Sequence, residues 1–204
     1  MTRIPPELAD NPDRLRWNDR YARSGYAPSF TPHPLAELAL HMPLAAGPVL
    51  ELAAGPSGSA LLAAGLGRLV TAVDASDVAL GLLIGEARRR RLASLVTVVP
   101  ADLIEWRPPA GRVYALVLCT GYWDRAVFAI ATGAVAVGGL LGWEAFTLAA
   151  RRDHPGLPAD WCLQDGEPAS LLPASFEVVS QRDTGPEPAV RRRLLARRVT
   201  NRLL

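Results

Sequence analysis

The 204-residue chain contains no lysine, so all 22 of its basic side chains are arginines. Against 20 acids they leave a net charge of only +2, which excludes a strong drive toward nucleic acid or an anionic membrane. Cysteine is almost absent. Cys119 and Cys162 fall in no CxxC pattern and can build neither a disulfide scaffold nor a Cys-rich zinc site. His33, His41 and His154 lie far apart in no metal-ligand spacing and read as surface or helix-end residues. The N-terminus lacks the apolar stretch of a signal peptide and carries acids and prolines early. The longest uncharged run, Ala126 to Trp143, is 18 residues, and Gly138-Gly139 splits it. It reads as a buried helix followed by a core strand, not a membrane span. These absences together lead to the expectation of a cytoplasmic protein with neither membrane nor nucleic-acid partner.

What is present is apolar. Hydrophobic residues make up 50% of the chain and charged residues 21%, a balance that excludes a disordered chain and supplies one substantial core. Residues 1–34 are rich in proline, charge and aromatics (Trp17, Tyr21, Tyr26, Phe30) and stand apart from a main domain at 35–204. A short helix fits Asp13 to Arg23, followed by a loop over A-P-S-F-T-P-H-P. From residue 35 the pattern predicts helices at 35–42, 57–66, 77–92 and 124–137, with a short one at 165–172. Strands are predicted at 48–53, 69–74, 95–100, 113–118, 140–146, 175–182 and 191–199. V-L-E-L, L-V-T-A-V-D, L-V-T-V-V and A-L-V-L are continuous apolar runs, the mark of strands buried on both faces of a parallel sheet. The alternation predicts a doubly wound, Rossmann-like α/β domain with a mostly parallel seven-stranded sheet. R-D-T-G-P-E-P-A-V is too short for a crossover helix, so the last two strands form an antiparallel C-terminal hairpin.

The strongest local signal runs from Val49 to Ala60, V-L-E-L-A-A-G-P-S-G-S-A. A buried strand ends near an acid, Glu51, and a turn of small residues with Gly55 and Gly58 opens a helix, whose N-terminus offers free N–H groups. Asp74 follows at the end of the next strand, where an acid in a nucleotide-type fold meets the two hydroxyls of a ribose. The third strand ends in Pro100-Ala101-Asp102-Leu103, a carboxylate and backbone N–H placed to meet an adenine edge. A dinucleotide site would carry G-x-G-x-x-G directly after the strand. Here no G-x-G exists in the loop, and a carboxylate there would repel a pyrophosphate but attract the ammonium of an amino-acid tail. Adenosine joined to a cationic amino acid is S-adenosyl-L-methionine.

At this point the residues resemble a known family. E-L-A-A-G-P-S-G, V-D-A-S and A-D-L-I-E-W resemble the first three motifs of class I S-adenosylmethionine-dependent methyltransferases. L-V-L-C-T-G-Y-W-D-R-A-V-F, G-G-L-L-G-W-E-A-F-T and the W-N-x-R-Y segment at Trp17–Tyr21 are similar to the small tellurite-resistance-type subgroup. The resemblance implies that Glu51 holds the methionyl ammonium, while Gly55, Ser57 and Gly58 line the tail. It implies that Asp74 binds the ribose, Ala75 lies against the adenine, and Asp102 with Leu103 reads the adenine edge. Ala53 and Ser76 complete that set, Cys119 and Thr120 meet the donor methyl, and Trp17 and Tyr21 belong to a lid over the cofactor. Two positions depart from the family pattern: the second glycine of G-x-G is Ser57, and the acid common at the start of the fourth strand is Ala115.

Methyl transfer from a sulfonium is an in-line displacement that asks the protein chiefly for positioning and exclusion of water. The sequence offers no convincing general base. Tyr122 and Asp124, just after the fourth strand, are the catalytic candidates on the acceptor side, with helix capping by Asp124 as the plainer alternative. Glu144, ending the fifth strand, lines the pocket or stands as a satisfied edge carboxylate. Arg88–Arg91 complete a helix C-terminus, and Arg191–Arg193, Arg197, Arg198 and Arg202 crowd the final strand. The expectation is a methyltransferase acting on a small-molecule acceptor, as a monomer or homodimer, with no metal. A non-catalytic S-adenosylmethionine- or S-adenosylhomocysteine-binding module is the alternative.

Overall fold

The computed structural model describes residues 4–23, 25–185 and 190–200; Arg202 and much of the turn between the last two strands lie outside this range. Seven strands form one sheet: β1 (Val49–Leu52), β2 (Val70–Asp74), β3 (Val96–Pro100), β4 (Tyr114–Thr120), β5 (Val135–Phe146), β6 (Phe176–Thr184) and β7 (Arg191–Arg198). Their order is β3-β2-β1-β4-β5-β7-β6. The first five run parallel, and β7 inserts antiparallel between β5 and β6. This is the Rossmann-like sheet with a C-terminal hairpin that the strand pattern predicts.

Helices cover both faces because the central strands are apolar on both. In β4, Leu116 and Leu118 join the layer that packs α2 (Pro34–His41), α3 (Gly58–Gly65) and α4 (Asp77–Arg89). Val117 and Cys119, on the opposite face, pack with α5 (Arg125–Ala134). Alanine-rich faces, Ala36 and Ala39 on α2 and Ala60, Ala63 and Ala64 on α3, are buried in the first layer. Each helix starts on a polar cap. His33, Ser57, Ser76 and Asp124 each accept a backbone N–H of the first turn with a side-chain atom, and Asn11 does the same for α1 (Pro12–Ala22). No helix among the described residues is long and apolar enough to cross a membrane.

Three elements differ most from the sequence pattern. The helix expected over 124–137 stops at Ala134, and β5 begins at Val135, five residues before its expected start at 140. Val135 pairs with Tyr114, and the register then shifts before Leu140 meets Leu116. Gly138, at φ +77°, takes up that shift, which no other residue type makes cheaply. The helix expected at 165–172 shrinks to one 3₁₀ turn, Ala169–Leu171, held between Pro168 and Pro173.

Gly139 tests the packing of the irregular start of β5. A Cβ there would stand 2.8 Å from the Ala115 carbonyl oxygen and 2.9 Å from that of Ala136, and backbone cannot swing aside. Gly139→Ala is expected to cost about 1–3 kcal/mol. Thermal unfolding should show a fall of roughly 2–4 °C per kcal/mol for a chain of this size. An unchanged Tm would mean that this shift in strand pairing is placed wrongly.

Candidate functional site

The C-terminal ends of β1, β2 and β4 face a crevice, the side of a parallel sheet on which ligands bind. Glu51 of β1 is buried at 3% exposure. Its Oε2 accepts the Ser57 hydroxyl at 2.7 Å, and Ser57 Oγ accepts the Ala60 N–H at 2.9 Å as the cap of α3. Ser57 therefore ties the acid to the helix N-terminus. Between them the chain turns through Ala53 at φ +49° and Gly55 at φ +56°. A left-handed alanine is uncommon and marks a turn held by its surroundings. The Gly55 N–H donates to Asp74 Oδ2 at 2.8 Å, and Asp74 Oδ1 accepts the Ser76 N–H at 2.7 Å.

Burial pushes the Glu51 carboxyl up to about 7, against the pull of hydrogen bonds from Ser57 and Ala60. Asp74 is raised for the same reason. Among the described residues neither acid has an ion-pair partner. Beside Glu51 opens a cavity of about 340 Å³ bordered by Ser57, Gly58, Thr31, His33 and Thr120.

The N-terminal segment closes over this region. A Cβ on Gly58 would stand 2.3 Å from the Phe30 carbonyl oxygen, so only glycine lets the 29–34 segment lie against the start of α3. Gly58 thus borders the cavity and also admits the chain that walls it. Trp17 stacks on Tyr21 at 5.8 Å, and Tyr21 meets Tyr26 edge-on at 5.3 Å. The Tyr21 hydroxyl lies 3.1 Å from where a Gly55 Cβ would be. Burial, with the charge of Asp74, pushes that phenol up to about 12.

The remaining candidates are placed unequally. Ala75 sits half-buried next to Asp74, and Ser76 is fully buried as the cap of α4. Both Asp102 oxygens are engaged, Oδ2 by Asn11 Nδ2 at 2.8 Å and Oδ1 by the Ile104 N–H at 2.9 Å, and Leu103 is buried against the core. Thr120 borders the cavity, but Cys119 does not. Its thiol is buried in the α5-side core, 3.9 Å from the Tyr122 carbonyl, and burial pushes its pKa well up. The expectation that Cys119 meets a donor methyl is therefore corrected: alternation along β4 turns it to the other face. Tyr122 is half-buried against that same core, its phenol raised by burial and then by Asp124. Asp124 accepts the Val127 N–H at 2.9 Å and caps α5, the plainer of its two expected roles.

The sequence pattern singled out Glu144 and the arginines of the last strand but not their joining with His33 above β5. Glu144, buried at 4% exposure, accepts from His33 Nε2 at 3.1 Å and from Arg193 Nη2 at 2.7 Å, with Arg191 Nη1 at 3.4 Å. Burial alone would raise this carboxyl, but the hydrogen bonds from His33 and Arg193 and the charge of Arg193 outweigh it and hold it at about 2. His33 Nδ1 accepts the Leu35 N–H, so Nε2 carries the ring proton that goes to Glu144. A histidine followed by proline at a helix start was the one signal for the cap; its second bond spans 111 residues and has none. Among the described residues no group of three or more His, Cys, Asp or Glu is arranged to hold a metal ion.

No protein-family model matches the chain, and no curated protein matches it. Solved structures do. The CcbJ methyltransferase from Streptomyces caelestis superposes with a TM-score of 0.63 over 92% of this chain and 97% of its own, at 18% identity. The glycopeptide N-methyltransferase MtfA, complexed with S-adenosyl-L-methionine, does so at 0.57 over 86% and 99%, at 19% identity. TehB from Haemophilus influenzae gives 0.63 over 91% and 67%, at 15% identity. Likeness at these identities establishes the fold, the Rossmann-like one seen in methyltransferases.

Glu51 supplies a test of the site's electrostatics. Its folded pKa of about 7 lies above the ordinary 4.5, so the fold favours the protonated acid. That contribution is fully present below the unfolded pKa and is lost as pH rises through the folded one. Without ligand, Glu51→Gln should gain stability relative to the parent as pH rises from about 4.5 to about 7, and the margin should level off above that. Paired Tm series across pH measure this, and parallel curves would refute a buried, unpaired Glu51.

Proposed function

We propose that the protein is an S-adenosylmethionine-dependent methyltransferase acting on a small-molecule acceptor. The observation that carries this reading is a pair of buried acids, Glu51 and Asp74, without a cation among the described residues, on neighbouring strand ends beside a capped helix N-terminus. Buried charges are normally paired, so the arrangement rewards a ligand that brings a cation to Glu51 and hydroxyl donors to Asp74. S-Adenosylmethionine carries both. The solved methyltransferase structures with the same sheet, one of them complexed with that molecule, support the assignment.

In this reading Glu51 takes the methionyl ammonium and the Ala53–Gly58 turn follows the tail. Asp74 takes the ribose hydroxyls, and Ala75, Ser76, Asp102 and Leu103 form the adenine side. Thr120 borders the place of reaction, and residues 1–34, through Trp17 and Tyr21, exclude water. The cofactor would supply a methyl group on a positively charged sulfur, already activated toward displacement. What the chain adds is alignment and a dry crevice. His33 is engaged at both ring nitrogens and Asp124 at its helix, which favours an acceptor that arrives nucleophilic without proton removal by the protein. A cytoplasmic monomer or homodimer, independent of nucleic acid and membrane, completes the proposal.

Calorimetry with S-adenosylmethionine and S-adenosylhomocysteine tests it directly, and absence of binding at millimolar concentration would remove it. Asp74→Ala should lose at least tenfold in affinity, since hydrogen bonds to a charged group contribute about 1.5–3 kcal/mol. Proton release gives a second readout. At about pH 6 the ligand's amine is cationic, given an ordinary α-amino pKa of about 8. Glu51 is then mostly protonated, because its own pKa is about 7. Binding must expel its proton, so the heat should vary with the buffer's ionisation enthalpy in the parent and not in Glu51→Gln.

A further inference from the structure

Away from the cavity, α1 meets the start of α4 through a cluster of hydrogen bonds that water exclusion does not require. The Ser76 hydroxyl donates to Asn18 Oδ1 at 2.7 Å, and the Val78 N–H points to the same oxygen at 3.3 Å. Asn18 Nδ2 donates to Asp77 Oδ1 at 2.8 Å, which also accepts Arg14 Nε at 2.7 Å. Ser76 is 0% exposed; its hydroxyl accepts the Ala79 N–H, and its own N–H donates to Asp74 Oδ1. An unbroken path therefore runs from Asn18 through Ser76 to Asp74, although Asn18 does not border the cavity.

The amide suits this place for a chemical reason. One side chain must accept from a hydroxyl and a backbone N–H while donating to a carboxylate, and an amide does both from separate atoms, its oxygen accepting and its nitrogen donating. A carboxylate at position 18 would face Asp77 without a donor, and an alanine would leave the Ser76 hydroxyl and the Val78 N–H without their acceptor. The Asp74 oxygens already hold two backbone N–H groups, so the direction of their remaining lone pairs depends on how firmly the 74–76 turn is held.

We infer that Asn18 is a positioning residue: it fixes the Asp74–Ser76 turn through Ser76 and so sets affinity for the adenosine half of the cofactor without touching it. This rests on the methyltransferase reading above. The stacked Trp17–Tyr21 pair covers the region by packing, whereas Asn18 acts through direction, and the two roles separate experimentally.

The test is a donor–acceptor exchange. Asn18→Asp is expected to weaken S-adenosylhomocysteine and 5′-methylthioadenosine, which lacks the amino-acid tail, by the same factor of about ten. Adding Asp77→Asn lets an amide at 77 donate to a carboxylate at 18, and should bring both affinities back to within about threefold of the parent. Amide hydrogen exchange of unliganded protein at Ser76, Val78 and Ala79 should quicken in Asn18→Asp and slow again in the double variant. Unchanged affinities in Asn18→Asp, a loss confined to the tail-bearing ligand, or a double variant that regains Tm but not affinity would each overturn the inference. If the parent binds neither ligand, the methyltransferase reading falls by itself, and Asn18's hold on the turn still stands or falls on the exchange rates.

Discussion

The site depends on one buried hydrogen bond, from Ser57 to Glu51. A carboxylate placed in the sheet at 3% exposure would normally demand a cation, and among the described residues the fold supplies only this hydroxyl and the adjoining N–H of α3. The acid is held near the balance between its two protonation states. It can stay neutral in the empty protein and ionise for a cationic ligand. Because the same hydroxyl caps α3, the acid and the helix N-terminus are fixed relative to each other.

The wall of the cavity comes from a different part of the chain. Gly58 has no side chain because the backbone of Phe30 and Thr31 occupies that space. Beyond it, His33 spans from the first turn of α2 to Glu144 on β5, and Arg193 from β7 neutralises the same carboxylate. The antiparallel insertion of β7 places Arg193 directly opposite Glu144. The C-terminal hairpin therefore does more than finish the sheet: it supplies the charge that lets β5 carry a buried acid at the rim of the site. Glu51 and Glu144 are two buried acids with opposite shifts, one without a cation among the described residues and the other enclosed by cations.

Much of this was legible from residue order. Continuous apolar runs identified the parallel strands, the short G-P-E-P connection identified the hairpin, and a polar residue before an apolar helix marked the cap at Asp124. Those signals are local, since a strand, a turn or a cap is decided by residues within one or two turns of chain. Cys119 shows where local reading fails: it sits near the end of β4, but pleating turns its side chain into the core.

The sequence by itself determined the α/β class, the strand count, the hairpin and the acids Glu51 and Asp74 at strand ends, because periodicity and turn chemistry are properties of neighbouring residues. Tertiary structure alone decided that Ser57 would reach Glu51, that the 29–34 segment would wall the cavity, and that His33 would meet Glu144. It also placed Asn18 on the turn that carries Asp74. Those contacts join residues as much as 111 positions apart, and their partners are chosen by where the packed layers bring side chains, a distance that no reading of neighbours contains.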